Sequence, residues 1–487
     1  MNGRLRSSAP PMTPALPAKF TAALEILIYL VVVAGAVVCF ILRGISTNQA
    51  AILCTLLLSG LIALAWWRFD GGKHPCFLLL CTLMFFQGGR LASYLMGADI
   101  DPLQIDLMTP NPFDLSRDDA GIVLLLLALT GICLYIPCRW SYRRVLPPPD
   151  IQVRPYLPYL YLVFYVSLPV QLFKNYKYYQ YVEDHGGYAT LFVNHAVLTA
   201  TVPLIVRVIA LITFPTFIAI FVFERRKKRL YLATTLYLAT ASVILLLGLR
   251  GAIFALAVTL WYVAGIKSGR RSRMLPVAAL LLALMLVGDF VQSLRADPGS
   301  ISQYTFAPIV FLTSQGNSLE VTEVAVKYRN IFEPYTWSYL GEEFLNAFIA
   351  SDTTNAFRGK ALSVDVPVLL DWRSFAQGNG TGGSYVAEAY VIGGITGVVL
   401  ISLLIGLGLH FLHRLSGNAL SLFVVANILP DVVIMPRAQL LDWISVLMRS
   451  VITVGFLWLG WQLFNFAVPM KAASGSSGPP PAATIVS

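Results

Sequence analysis

The chain has 487 residues, 57% of them hydrophobic and only 12% charged, with a mean hydropathy of +0.71 and a formal charge of +10. Soluble domains run to about 45–50% apolar and about 25% charged residues, so a water-soluble globule is excluded as the main architecture. The basic residues stand beside apolar runs, where membrane orientation and anionic lipid headgroups explain them, and no nucleic acid is expected as a partner.

In hydrocarbon every backbone N–H and C=O must be paired internally, and helices of about 20 apolar residues achieve this while crossing a core of about 30 Å. The short alternating segments of a β-barrel are absent. The predicted fold is all-α and polytopic, with twelve spans and a large external loop.

Residues 1–21 form a Pro-rich, mildly basic cytoplasmic segment. The apolar run after it is too long for a signal-peptide core and lacks a clear cleavage site, so it stays as a helix. Nine runs fill residues 22–290: Leu24–Leu42, Ala50–Trp67, Pro75–Met96, Ala120–Cys138, Tyr156–Phe173, Leu198–Val222, Leu230–Leu249, Ala252–Ile266 and Met274–Phe290. Residues 291–385 are the large hydrophilic loop. Three more runs, Val386–Leu412, Ala419–Met435 and Trp443–Val468, fill residues 386–468, and the Gly-, Ser- and Pro-rich tail 469–487 reads as disordered.

An even number of spans puts both termini on one side, and basic loops stay in the cytoplasm. With the N-terminus inside, twenty of the 35 Lys and Arg residues fall in inner segments, Arg225–Arg229 densest among them. Twelve fall outside, half of them in the long loop. That loop and the shorter Lys174–Val197 are therefore extracytoplasmic, and chemistry is expected there. Within the long loop, Val310–Tyr328 and Tyr339–Ala350 have apolar residues at helical spacing, suited to lying along the membrane surface, and Gln377–Ser384 is a Gly-rich turn.

Four arginines gather near the outer side: Arg207 within the sixth run, Arg250 in Gly248-Leu249-Arg250-Gly251, Arg295 after the ninth run, and Arg437 in Met435-Pro436-Arg437-Ala438. Guanidinium groups grip phosphate or carboxylate bidentately, so together they suit a pyrophosphate. Each can equally snorkel to the interface or pair with a carboxylate such as Asp289, Asp431 or Asp442. Glu388 follows Gly378-Asn379-Gly380-Thr381-Gly382-Gly383-Ser384-Tyr385 in the first turn of a helix, where it is either a cap favoured by the dipole or a buried general base. The tyrosines of Lys174–Val197 fit sugar stacking or an interfacial aromatic belt. Asp99, Asp101, Asp118 and Asp119 are weak candidates for a divalent ion, the five histidines lack zinc-ligand spacing, and the six cysteines read as small core residues. No metal and no cofactor is expected.

Three stretches resemble the O-antigen polysaccharide polymerases of the Wzy type: Gly248-Leu249-Arg250-Gly251, Ser314-Gln315-Gly316-Asn317-Ser318, and Gly380–Tyr385 running into Ala387-Glu388-Ala389-Tyr390 and Gly394. Arg437 before the last helix fits as well. Gly248-Leu249 departs from the small polar residue expected before the arginine. The resemblance implies a GT-C-like membrane glycosyltransferase of the bacterial inner membrane that works on its periplasmic face. It would transfer a growing glycan from undecaprenyl pyrophosphate to the non-reducing end of an incoming lipid-linked repeat unit, and a chain-length regulator is a possible partner beside membrane lipids. Under it, Arg250, Arg437, Arg207 and Arg295 bind the pyrophosphate, Glu388 acts as base with Arg250 and Arg437 in catalysis, and Gln315, Ser318, Ser384 and Tyr385 contact glycan or phosphate oxygens. An O-antigen ligase, with the same donor and another acceptor, and a polysaccharide or lipid transporter are the competing readings.

Overall fold

The computed structural model describes residues 18–106, 112–140, 142, 156–185, 195–246, 250–269, 307–346, 359–376 and 380–467. Helices α1 (Ala18–Ile41), α2 (Thr47–Arg68), α3 (Pro75–Phe86) and α4 (Gly89–Leu95) lead to a two-residue antiparallel ladder, Gln104–Ile105 against Phe113–Asp114. Then come α5 (Arg117–Trp140), α6 (Leu157–Asp184), α7 (His195–Ala200), α8 (Leu204–Phe223), α9 (Lys227–Leu246) and α10 (Arg250–Ser268). The long loop supplies α11 (Ala307–Gln315), α12 (Ser318–Lys327), α13 (Arg329–Phe332), α14 (Thr336–Asn346) and α15 (Leu362–Ala376). The chain closes with α16 (Tyr385–Leu415), α17 (Ala419–Ile434) and α18 (Asp442–Ala467).

Eight of these helices are long and apolar enough to cross a membrane, and α3 with α4, bent by 66°, makes a ninth. The seventh and eighth predicted runs are α9 and α10; Met274–Phe290 lies outside the described residues. Burial is inverted relative to a soluble protein. Peripheral α1 and α18 turn Val31, Ile41, Phe456 and Leu463 outward, each more than half exposed, as hydrocarbon allows. The core is centred on α5, which packs against α1, α2, α3, α12 and α16. At one end Glu25 of α1 pairs with Arg68 of α2 and accepts from Arg139 Nε of α5 at 2.9 Å, tying three helices together.

Besides Pro75–Met96, divided into α3 and α4, four elements differ from their expected bounds. Helix α6 runs to Asp184, so Lys174–Asp184 is helix and not loop; side-chain bonds one turn apart, Gln171 to Asn175 at 2.9 Å and Gln180 to Tyr176 at 3.0 Å, continue it past its apolar run. The sixth run is divided, because Pro203 has no N–H to offer and separates α7 from α8. Arg207 consequently lies in the first turn of a helix and is partly exposed, rather than sitting deep within a span. The stretch Val310–Tyr328 is two helices, broken at Gly316-Asn317. Helix α16 bends at Gly393 and Gly394, the latter at φ +60°, a left-handed backbone that glycine adopts without strain.

Candidate active site

The site begins where α3 stops. Gln87 ends that helix, the chain turns into α4, and the fully buried Gln87 amide joins three other segments. Its Nε2 donates to the Ser318 carbonyl at 3.0 Å, to Ser384 Oγ at 3.0 Å and to the Pro436 carbonyl at 2.7 Å. Its Oε1 accepts from Thr322 Oγ1 at 3.0 Å. A primary amide has two N–H groups, so three acceptors around Nε2 share them, and its oxygen takes one donor. Ser384 also accepts the Ala387 N–H at 3.3 Å as the N-cap of α16, which fixes where that helix starts.

The turn before α18 is gripped by carboxylates. The N–H of Gln439 donates to Asp442 Oδ2 at 3.0 Å, that of Leu440 to Glu388 Oε2 at 2.7 Å, and that of Leu441 to Glu343 Oε2 at 3.1 Å. Glu388 comes from the first turn of α16 and Glu343 from α14. Gln439 Nε2 donates to Ser363 Oγ of α15 at 2.9 Å. Arg437 opens the same turn, its Nη1 donating to Gln315 Oε1 at 2.6 Å and its guanidinium lying 5.6 Å from the Phe86 ring centroid. The Gly383 N–H donates to the Arg437 carbonyl at 3.3 Å, closing the Gly-rich segment onto the turn.

Glu388 and Glu343 are 3% and 4% exposed, and the second oxygen of each, Oε1, is buried without a hydrogen-bond donor. The two carboxyl groups are within hydrogen-bonding reach of each other. Carboxylates have only acceptors, so the pair requires a shared proton. Burial, reinforced by the Asp442 charge and opposed by the Leu441 N–H, pushes the Glu343 carboxyl up to about 7. Such a pair can accept a proton from a hydroxyl near neutral pH.

A second buried cluster stands beside the first. Arg90 of α4, 1% exposed, pairs with Glu320 of α12, donates to both Asp106 oxygens at 2.9 and 3.1 Å and donates to the Asp101 carbonyl at 3.1 Å. Both Glu323 oxygens are buried without donors, and burial raises that carboxyl far above its ordinary range against the pull of Arg90. The backbones of α4 and α11 meet closely enough that a Cβ on Gly89 would stand 2.7 Å from the Leu312 carbonyl oxygen and one on Gly316 would run into the Arg90 backbone.

The predicted residues divide accordingly. Arg437, Gln315, Ser318, Ser384 and Glu388 converge on Gln87 and the 435–442 turn. Ser318, Ser384 and Tyr385 are fully buried, so in this conformation the two serines and the tyrosine are enclosed by protein. Arg250 is the first residue of α10. Arg207 has no hydrogen bond or ion pair to this cluster among the described residues, and its charge acts on the Tyr178 hydroxyl. Gly248, Leu249 and Arg295 lie outside the described residues. The weighed aspartates are used locally: Asp101 accepts the Leu103 N–H at 3.0 Å, and Asp119 exchanges hydrogen bonds with Ser116 at the start of α5.

Gln87, Arg90, Thr322 and Glu343 were missed by sequence reasoning. Glu343 had a legible signal, since it falls one turn after Tyr339 on the apolar face of α14, while Glu342 does not. Gln87-Gly88-Gly89-Arg90 falls in the middle of the predicted run Pro75–Met96, where its position marks it only as mid-span.

A polytopic helical membrane protein with an acid pair and an arginine at one end of its bundle is the class that this fold and site define. The family model for O-antigen polysaccharide polymerase Wzy matches residues 24–466. The chain belongs to that family, and is therefore a glycosyltransferase-type polymerase acting on lipid-linked oligosaccharide repeat units in a membrane. No curated protein and no solved structure matches the chain.

Proposed function

We propose that the chain transfers the growing glycan from undecaprenyl pyrophosphate to the non-reducing end of an incoming lipid-linked repeat unit, on the periplasmic face of the bacterial inner membrane, without a metal ion. The observation that supports this most is the anchoring of an acid pair and an arginine on one short turn: Arg437 opens it, and Glu388 and Glu343 hold its next N–H groups. The acceptor hydroxyl attacks the anomeric carbon of the donor sugar, the bond to the pyrophosphate oxygen breaks, and the hydroxyl proton passes to the Glu388–Glu343 pair. Arg437, with Arg250, Arg207 and Arg295, offsets the negative charge that builds on the leaving pyrophosphate.

Apart from the proton shared with Glu343, Glu388 Oε1 meets no hydrogen-bond donor among the described residues, and it is the atom open to the acceptor hydroxyl. Because Glu388 is almost wholly covered, entry requires the Gly380–Gly383 run to move off the turn. Gln315 orients phosphate or glycan oxygens through its link to Arg437, while Ser318, Ser384 and Tyr385 reach them only in such an opened form. Purified protein incubated with lipid-linked repeat units and a chelator, read on a glycan gel, tests the proposal. A ladder that disappears with Glu388→Gln supports it; single repeat units left unextended by folded, donor-binding protein would overturn it.

A further inference from the structure

The end of the bundle opposite Gln87 holds a second constellation, which the polymerase reading does not use. His74 caps α3, its Nδ1 accepting the Cys76 N–H at 3.1 Å; Cys138 sits near the end of α5; His410 and His413 sit in the last turns of α16. A ring nitrogen of His74 and the Sγ atoms of Cys76 and Cys138 all lie within 4.8 Å of one another, and all three residues are fully buried. The His413 ring, 1% exposed, is centred 4.4 Å from that of His74, and the His410 ring 6.4 Å from it.

Burial of this many polar atoms calls for partners, because an unmet polar group is costly in a dry interior. His74 Nε2 has no hydrogen-bond partner although the residue is 0% exposed, and His410 Nδ1 has none at 9% exposure. The two thiols reach carbonyl oxygens, Cys76 that of Leu134 at 3.6 Å and Cys138 that of Gly406 at 3.2 Å, which are weak contacts for sulfur, and they lie against each other.

The geometry points to a structural zinc-class site built by His74, Cys76 and Cys138, with His413 as the fourth ligand. Two thiolates and two imidazoles form the closed tetrahedral nitrogen–sulfur set that zinc prefers and that oxygen-seeking magnesium and calcium do not. Zinc–sulfur bonds of about 2.3 Å and zinc–nitrogen bonds of about 2.0–2.1 Å place neighbouring ligand atoms closer together than the present spacing, so side-chain rotation tightens the set. On binding, each thiol gives its proton to solvent, and the two thiolate charges cancel the dication, so no net charge enters the apolar core; His74 gives up its bond from the Cys76 N–H, since a neutral imidazole that ligates through one nitrogen carries its proton on the other. With four protein ligands no position is left for substrate. The metal would clamp the starts and ends of α3, α5 and α16, helices whose other ends present Gln87 and Glu388. Histidine spacing in the sequence did not suggest it, because its ligands come from three separate helices.

The test uses the full chain, purified in detergent through a tag free of histidine and cysteine, from cells grown with zinc or with cobalt. Elemental analysis should find about one zinc per chain, X-ray absorption a shell with two sulfur scatterers, and the cobalt form a thiolate-to-metal charge-transfer band. Metal content should fall at least tenfold in Cys76→Ser and Cys138→Ser and stay unchanged in Cys39→Ser, whose thiol is exposed. Should the serine variants fail to fold, the absorption and cobalt spectra of the unaltered protein decide alone. A metal-free chain after zinc loading, a shell without sulfur, or a Cys76–Cys138 disulfide found by mass spectrometry would overturn the inference.

Discussion

Glu343 links the chemistry to pH with opposite signs for stability and for rate. Its carboxyl is pushed up to about 7 in the folded chain, above the ordinary value of 4.5, so the folded state holds a proton that the unfolded state has released. Stability from the neutral form is complete below about 4.5 and is lost as pH rises through about 7. The rate should do the reverse, since a base works only after losing its proton. We expect thermal stability to fall and polymerisation to rise between pH 5 and 8. Glu343→Gln should flatten the first and move the rising limb of the second to lower pH, because a glutamine amide can donate to Glu388 and still accept the Leu441 N–H. Rate–pH profiles and melting curves on both proteins check this. Arg437→Ala should lower the rate by roughly 10²–10³, the size of losing one preorganised partner for developing charge. Arg437→Lys should recover only part of it, as an ammonium lacks the planar fork. Initial rates at saturating donor distinguish the two.

At the scale of elements, the contact between α4 and α11 is the one most sensitive to a single methyl group. Gly316→Ala has no free space against the Arg90 backbone and should destabilise the chain by about 1–3 kcal/mol, the usual cost of overpacking. Arg90→Met removes the cation that Glu320 faces and should cost roughly 3–5 kcal/mol, as when one partner of a buried pair is lost. Adding Glu320→Gln to it should restore part of that loss. Melting temperature in detergent measures both. This contact also marks where the sequence stops being readable. Apolar runs give the spans because hydrocarbon punishes unpaired backbone uniformly, and α2, α5, α16, α17 and α18 fall within a few residues of their expected bounds. Breaks inside such runs are set by tertiary partners. Gln87-Gly88-Gly89-Arg90 interrupts a span only because Ser318, Ser384 and Pro436 are there to receive an amide, and none of them is near it in sequence.

For the molecule as a whole, the arrangement of charges gives an orientation that can be measured. Arg225–Arg229 follows α8 at one end, and α14 and α15 stand with the Glu388 turn at the other. Cysteines placed at Arg226 and at Trp372 in a chain whose exposed Cys39 is changed to serine should label differently in intact spheroplasts: Trp372→Cys with a membrane-impermeant maleimide, Arg226→Cys only after lysis. The reverse pattern would place the acid pair in the cytoplasm and remove the periplasmic part of the proposal. Of the candidate site, Arg437, Gln315 and Glu388 were legible, each being a polar residue next to a glycine-rich segment or at the mouth of a span. Glu343 needed the helical phase of α14, and the Arg90 cluster needed the fold itself.

Helix α3 has only twelve residues before the chain bends, a rise of about 18 Å, whereas the hydrocarbon core is about 30 Å deep. A helix of that length starting at one membrane surface ends roughly 12 Å below the other. With the start of α3 placed at one membrane surface, Gln87, and with it the turn that holds Arg437 and the acid pair, would lie within the far leaflet rather than above it. A polyprenyl carrier could therefore present its phosphates sideways, from among the lipid tails, without being lifted out, while the sugar chain it bears remains in water. The shortness of one helix sets the depth at which a greasy anchor and a hydrated polymer can be severed from each other.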